Sequence, residues 1–196
     1  MGIVGFQGDV EEHVRSTLAA GKDRVTEVRD LRRVSDFDGI SGLIIPGGES
    51  TTIYKLINRY GIYNKIRNEV RKGLPVMGTC AGLILISADT GDPTVRGMGL
   101  IDAAVSRNAY GRQKESFIGN VEIKGLGNFM APFIRAPKIV RVSEGYVIGI
   151  CGDEPVMIRD RNVLGLTFHP ELTRDRRVHT MFLDIVEGEG YISTGE

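Results

Sequence analysis

Short apolar runs alternate with amphipathic stretches through the first half of the chain. Residues 3–6 (Ile-Val-Gly-Phe) read as a strand that closes on Gln7-Gly8. Asp9 then stands where a helix N-cap is expected, with Glu11 and Glu12 in the first turn, where the helix dipole favours anions. Val10, Val14, Leu18 and Ala19 recur at helical spacing and predict that helix's apolar face. Further strands are predicted over 25–28, 42–45 and 74–77, and helices over 50–59, 62–72 and 81–87. Strands alternating with helices imply a parallel sheet covered on both faces, with ligands beyond the carboxyl ends of the strands. Three glycine-containing segments fall at such ends: Gln7-Gly8, Pro46-Gly47-Gly48 and Gly78-Thr79-Cys80.

The pattern changes after about residue 99. Short strand-like runs at 100–105, 117–123, 139–142, 146–150, 156–158 and 164–168 are separated by glycine and proline, and a helix over 176–186 precedes a glycine- and glutamate-rich tail expected to fray. The expectation is one α/β domain over 1–196. It has three layers, a mostly parallel central sheet flanked by helices, and a β-rich elaboration in the second half.

Charge excludes some functions. Twenty-five Lys and Arg balance 25 Asp and Glu, so nothing in the net charge suggests a nucleic-acid partner or an anionic membrane. The run Arg29-Asp30-Leu31-Arg32-Arg33 reads as a solvated loop or helix face. No apolar run approaches the roughly 20 residues a bilayer requires. The first residues lack the charge and length of a signal peptide, and Phe6 stands where a myristoylation motif wants Ser or Thr. Two cysteines, Cys80 and Cys151, make no disulfide framework, so a reducing cytoplasm is expected.

Gly78-Thr79-Cys80-Ala81-Gly82 has the G-x-C-x-G form of a nucleophile elbow. A nucleophile on a tight strand-to-helix turn needs small neighbours. The turn lifts the sulfur above the sheet and aims the next N–H, that of Ala81, at a developing oxyanion. Cys151 has no such setting and reads as structural. A cysteine nucleophile also needs a base and something to orient it. His169, in Thr167-Phe168-His169-Pro170-Glu171, follows a predicted strand, and Glu171 two residues on projects to the same side of an extended segment. His13 and His179 fall within predicted helices and read as structural or surface residues. Isolated cysteines and separated histidines offer no zinc spacing. Consecutive glycines in Pro46-Gly47-Gly48-Glu49-Ser50 would let backbone N–H groups approach an anion, with Ser50 capping the helix that follows.

Together these motifs resemble class I, triad-type glutamine amidotransferases. Within that family the resemblance narrows to the glutaminase subunits of pyridoxal 5′-phosphate synthases. It is carried by Gly42-Leu43-Ile44-Ile45-Pro46-Gly47-Gly48-Glu49-Ser50-Thr51-Thr52, by Gly78-Thr79-Cys80-Ala81-Gly82-Leu83 and by Arg107-Asn108-Ala109-Tyr110-Gly111-Arg112-Gln113, and further by Phe133-Ile134-Arg135-Ala136-Pro137 and Phe168-His169-Pro170-Glu171-Leu172-Thr173, collinear over nearly the whole chain. Residues 125–130 depart from the pattern, and the first strand is richer in glycine. The resemblance implies a catalytic triad of Cys80, His169 and Glu171, and a glutamine site lined by Gly47, Gly48, Glu49, Arg107, Ile134 and Arg135. It also implies an oxyanion hole from Gly48 and Ala81, no metal or organic cofactor, and a synthase subunit as partner in a large hetero-oligomeric complex, with low activity before docking. Other readings stay open here: an amidotransferase subunit of another synthase such as imidazole glycerol phosphate synthase, a non-catalytic interaction subunit, or a cysteine hydrolase of peptides or thioesters.

Overall fold

A computed structural model describes residues 1–107, 116–142 and 146–188. The first half runs β1 (Gly2–Val4), α1 (Val10–Gly21), β2 (Arg29–Leu31), β3 (Leu43–Ile45), α2 (Ser50–Arg59), α3 (Ile62–Arg71), β4 (Val76–Thr79) and α4 (Ala81–Ile86). The second half continues with β5 (Ser87–Asp89), β6 (Ile101–Ser106), β7 (Ser116–Ile123), β8 (Gly127–Ile134), β9 (Lys138–Val142), β10 (Tyr146–Cys151), β11 (Glu154–Asp160), β12 (Val163–Leu166) and α5 (Arg177–Val186). The main sheet has the order β2-β1-β3-β4-β12-β11-β10-β7-β8. Its first five strands are parallel, and from β12 outward the pairing is antiparallel. A smaller sheet, β5-β6-β9, stands apart. The parallel half carries the predicted strand ends, and the antiparallel half is the expected β-rich elaboration.

Alternation along the parallel strands sends side chains to two cores on opposite faces. Leu43 and Ile45 join α2, α3 and α4 in one core, with Ile53, Ile57, Ile66 and Leu85. Ile44 and Met77 join α5 in the other, with Val178, Phe182 and the aromatic pair Phe129 and Phe168. These are the three expected layers. No helix among the described residues is long and apolar enough to cross a membrane.

Three expectations fail for instructive reasons. The second strand lies at Arg29–Leu31, not 25–28, so the first part of the charged run is an edge strand and only Arg32 and Arg33 are exposed loop. Leu31 alone is fully buried there, and an edge tolerates the outward charges. Helix α1 packs Val10 and Val14 on the core as expected, but Leu18 and Ala19 are exposed and the fully buried positions are His13, Ser16, Thr17 and Gly21, so its inner face is mixed. The eight-residue strand β8 has no counterpart among the predicted strands, since Gly127 and Pro132 break its pattern. Residues 108–113 of the motif beginning at Arg107, and the tail from 189, lie outside the described residues.

Candidate active site

Strand β4 delivers Cys80. Its N–H bonds to the Leu166 carbonyl at 2.8 Å, extending the β4–β12 ladder by one residue before the chain turns into α4. The turn forces Cys80 to φ 48°, ψ −100°, a conformation that side-chain-bearing residues rarely adopt and that is tolerated where function demands it. Both flanking glycines are sterically required. A Cβ on Gly82 would lie 2.0 Å from the Ile45 carbonyl oxygen, and one on Gly78 would lie 2.7 Å from Gly82. The small residues therefore let α4 start directly against β3 and β4. Cys80 is 6% exposed, and its Sγ lies 3.9 Å from the Ile134 carbonyl on β8.

Strand β12 delivers the base. Past its end, the His169 N–H bonds to the Pro132 carbonyl at 2.9 Å. Its Nδ1 lies 2.7 Å from Glu171 Oε1 and 3.1 Å from Asp9 Oδ2. Burial works against charge on this ring, but its interactions with Asp9, Cys80 and Glu171 outweigh burial and push its pKa up to about 12. Nε2 meets no hydrogen-bond partner at ordinary geometry among the described residues, and its interaction with Cys80 adds to the rise. Burial raises the Glu171 pKa against the pull of His169, whereas the bond to His169 lowers that of the half-exposed Asp9. Asp9 does precede α1, as expected of a cap, yet its carboxylate caps nothing and turns to His169 instead.

A cavity of about 270 Å³ opens over Cys80 and His169, walled by Gln7, Asp9, Glu49, Ala81, Arg107, Ile134 and Arg135 among others. It gathers the expected site residues except Gly47 and Glu171. Gly47 backs the imidazole, because a Cβ there would meet His169 Cε1 at 2.4 Å, and Glu171 lies buried behind the ring. Gly48, at φ 143°, is pinned by its neighbours: the Glu49 N–H donates to Gln7 Oε1 at 2.8 Å. The α2 cap is Glu49 rather than Ser50. Its carboxylate accepts from the Thr51 and Thr52 N–H groups at 3.1 and 2.7 Å. Burial opposes the charge, but these bonds and the Thr52 hydroxyl lower its pKa to about 2. Arg107 enters the cavity already paired with Asp92, and contacts Thr51 Oγ1 at 3.3 Å and Glu49 Oε1 at 3.5 Å. Arg135, at φ 43°, is exposed at the rim.

Sequence reasoning misses Asp9, Gln7 and Asp92 as site residues. Asp9 and Gln7 flank the first predicted strand end, the signal that could have found them. Asp92 offers none. Among the described residues, Asp9, His169 and Glu171 are the one group whose ligand atoms, all within 4.8 Å, could hold a metal ion. Both carboxylates converge on one ring nitrogen, which is the geometry of hydrogen-bonded orientation.

The other two histidines are buried beside this cluster. His13 Nε2 lies 3.0 Å from Thr79 Oγ1 and 3.4 Å from Glu171 Oε2, and His13 Nδ1 lies 3.2 Å from His179 Nε2. Burial, then the Arg176 charge, lowers the His179 pKa to about 3, and burial drives His13 well below its ordinary value. Unfolded, the His179 ring takes up a proton below its ordinary pKa of 6.5, whereas folded it resists until about 3. The associated stability is present above the higher value and is lost as pH falls through the window. His179→Gln is expected to flatten the acid decline of unfolding free energy by about 1.4 kcal/mol per pH unit below about pH 6. Urea unfolding across that range checks this; an unchanged slope would mean the folded ring is already protonated.

Comparison with known proteins supplies a family. A model of the SNO glutamine amidotransferase family matches residues 3–188. The pyridoxal 5′-phosphate synthase subunit PdxT of Thermoplasma volcanium is 53% identical over 195 residues, covering 99% of this chain and 98% of the relative. PdxT of a Thermus thermophilus strain is 45% identical over 188 residues, covering 94% and 96%. A crystal structure of a glutamine amidotransferase is 43% identical, with a TM-score of 0.87 over 95% of this chain and 98% of that one. PurLQS from Thermotoga maritima, at 16% identity and a TM-score of 0.66 over 96% and 95%, shares the fold alone.

Proposed function

Because the chain belongs to the SNO glutamine amidotransferase family, we propose that it is a glutaminase, hydrolysing L-glutamine to L-glutamate and ammonia for a pyridoxal 5′-phosphate synthase subunit. The observation that carries the reading is the pairing of a strained, cavity-facing Cys80 with an imidazole whose far nitrogen is held by a buried carboxylate. The relatives named as subunits of that synthase, matched along almost their whole length, are what favour this acceptor of ammonia over another.

In this mechanism Cys80 Sγ attacks the side-chain carboxamide carbon of glutamine. The Ala81 N–H, at the start of α4, and the Gly48 N–H stabilise the tetrahedral oxyanion. His169, held protonated by two carboxylates, gives its proton to the departing nitrogen, so ammonia leaves and a glutamyl thioester remains. The now neutral ring takes a proton from water, whose oxygen attacks the thioester. Glutamate is released and the sulfur is restored. Glu49, Arg107, Ile134 and Arg135 line the position of the substrate's polar end, where guanidinium groups suit an α-carboxylate.

The test combines the full chain with a pyridoxal 5′-phosphate synthase subunit, its sugar phosphates and glutamine. Glutamate release should rise on adding the synthase, and pyridoxal 5′-phosphate should form with glutamine as sole nitrogen source. A complex that forms yet makes product only from added ammonium would sink the proposal.

A further inference from the structure

We propose that His13 and His179 are positioning residues for the reaction, forming a buried hydrogen-bond relay that holds the second carboxylate oxygen of Glu171 from behind. This deepens the glutaminase reading and rests on it. The chain has three histidines, and the relay joins all of them through Glu171: His179 to His13, His13 to Glu171, Glu171 to His169. The residues come from α5, α1 and the turn after β12, and those helices pack on one another. His13, His179 and Glu171 are all at least nine-tenths buried.

The unpartnered atoms give the relay its direction. Glu171 Oε1 is engaged by His169. Among the described residues Oε2 is sealed from water without a conventional hydrogen bond, and His13 Nε2 lies 3.4 Å from it. An uncompensated buried carboxylate oxygen is costly, so His13 must present an N–H there rather than a lone pair. The same Nε2 lies 3.0 Å from Thr79 Oγ1, so one proton is shared between the hydroxyl and the carboxylate. With its proton on Nε2, a neutral His13 has an acceptor at Nδ1, and His179 Nε2–H supplies the donor at 3.2 Å. His179 Nδ1 is then a lone pair, which agrees with its having no partner among the described residues. Neutral rings are what this environment favours: His13 faces His179, Thr79 and Glu171, with charged His169 beyond, and His179 lies near Arg176. Any other proton placement on two neutral rings leaves either two lone pairs or two N–H groups facing each other, or an N–H without an acceptor.

The consequence is mechanical. A carboxylate held at one oxygen can swing. Held at both, it fixes the plane of the His169 ring and keeps Nε2 toward Cys80. Thr79 immediately precedes Cys80, so the relay also braces the strand end that carries the nucleophile. Neither His13 nor His179 lines the cavity, so glutamine binding should not sense them.

The test measures glutamate release by the full chain with the synthase subunit, for wild type, His13→Phe and His13→Gln. It also reads the tautomer of each ring in the full chain by long-range 1H–15N NMR. His13→Phe should lower kcat at least about tenfold, the effect of losing a hydrogen bond to a charged group, with KM for glutamine nearly unchanged. His13→Gln, whose amide N–H reaches the Nε2 position, should recover most of that loss. Both wild-type rings should be neutral with the proton on Nε2. Wild-type kcat in His13→Phe, equal losses in both variants, or a proton on His13 Nδ1 would each overturn the relay. If wild type released no glutamate while the tautomers were as stated, the glutaminase reading would fall and the relay would stand.

Discussion

Cys80→Ala is expected to lower glutamate release by on the order of 10⁴-fold or more, while the chain still folds and binds its synthase partner. Alanine can occupy the same strained turn, since the glycines that let α4 approach β3 and β4 are untouched. Only the sulfur is lost, and no other thiol lines the cavity among the described residues. Cys151, the other thiol, sits on β10 and is absent from the cavity wall. Glutamate release by the mixed complex, with pyridoxal 5′-phosphate formation from ammonium as the control for assembly, measures the loss. A variant within about tenfold of wild type would place the chemistry elsewhere.

Glu171→Gln is the second large effect, and its size depends on Asp9. Where one carboxylate alone orients a catalytic imidazole, its conversion to an amide costs about 10⁴-fold through the wrong tautomer. Here Asp9 Oδ2 also reaches Nδ1, at 3.1 Å against 2.7 Å for Glu171. Asp9 therefore retains part of the orientation, and the expected loss for Glu171→Gln is about 10²-fold in kcat. Asp9→Asn alone should cost about tenfold or less, and the double variant should fall toward the full 10⁴-fold, more than the singles combined. Single variants that multiplied without coupling would show that the two carboxylates act on different steps.

Local signals make the chemistry legible. Cys80 stands out because an elbow demands glycine on both sides, and His169 and Glu171 because a carboxylate stands two residues past the imidazole, although a 3-10 turn over Pro170–Leu172, not an extended segment, brings them together. The bounds of α2 follow from its amphipathic spacing. Tertiary context hides the rest. Asp9 looks like a helix cap, and it stops being one only because β12 brings an imidazole within reach. The inner face of α1 defies the rule that buried means apolar, because beside Val10 and Val14 on the core it sets His13 and Ser16 against Glu171. His13 and His179 lie 166 residues apart, so nothing in their neighbourhoods announces that they meet. Strand β2 is masked by its charges and β8 by its glycine and proline, since edges and long hairpins tolerate residues that central strands exclude.

Covalent catalysis at Cys80 is tested by mixing the full chain and its synthase with excess glutamine, quenching in acid within one turnover, and weighing the intact chain. A fraction of the chain should carry the mass of one glutamyl group, mapped to Cys80, released by hydroxylamine and absent from Cys80→Ala. Steady glutamate release with no adduct at Cys80, or with the adduct on another residue, would contradict it.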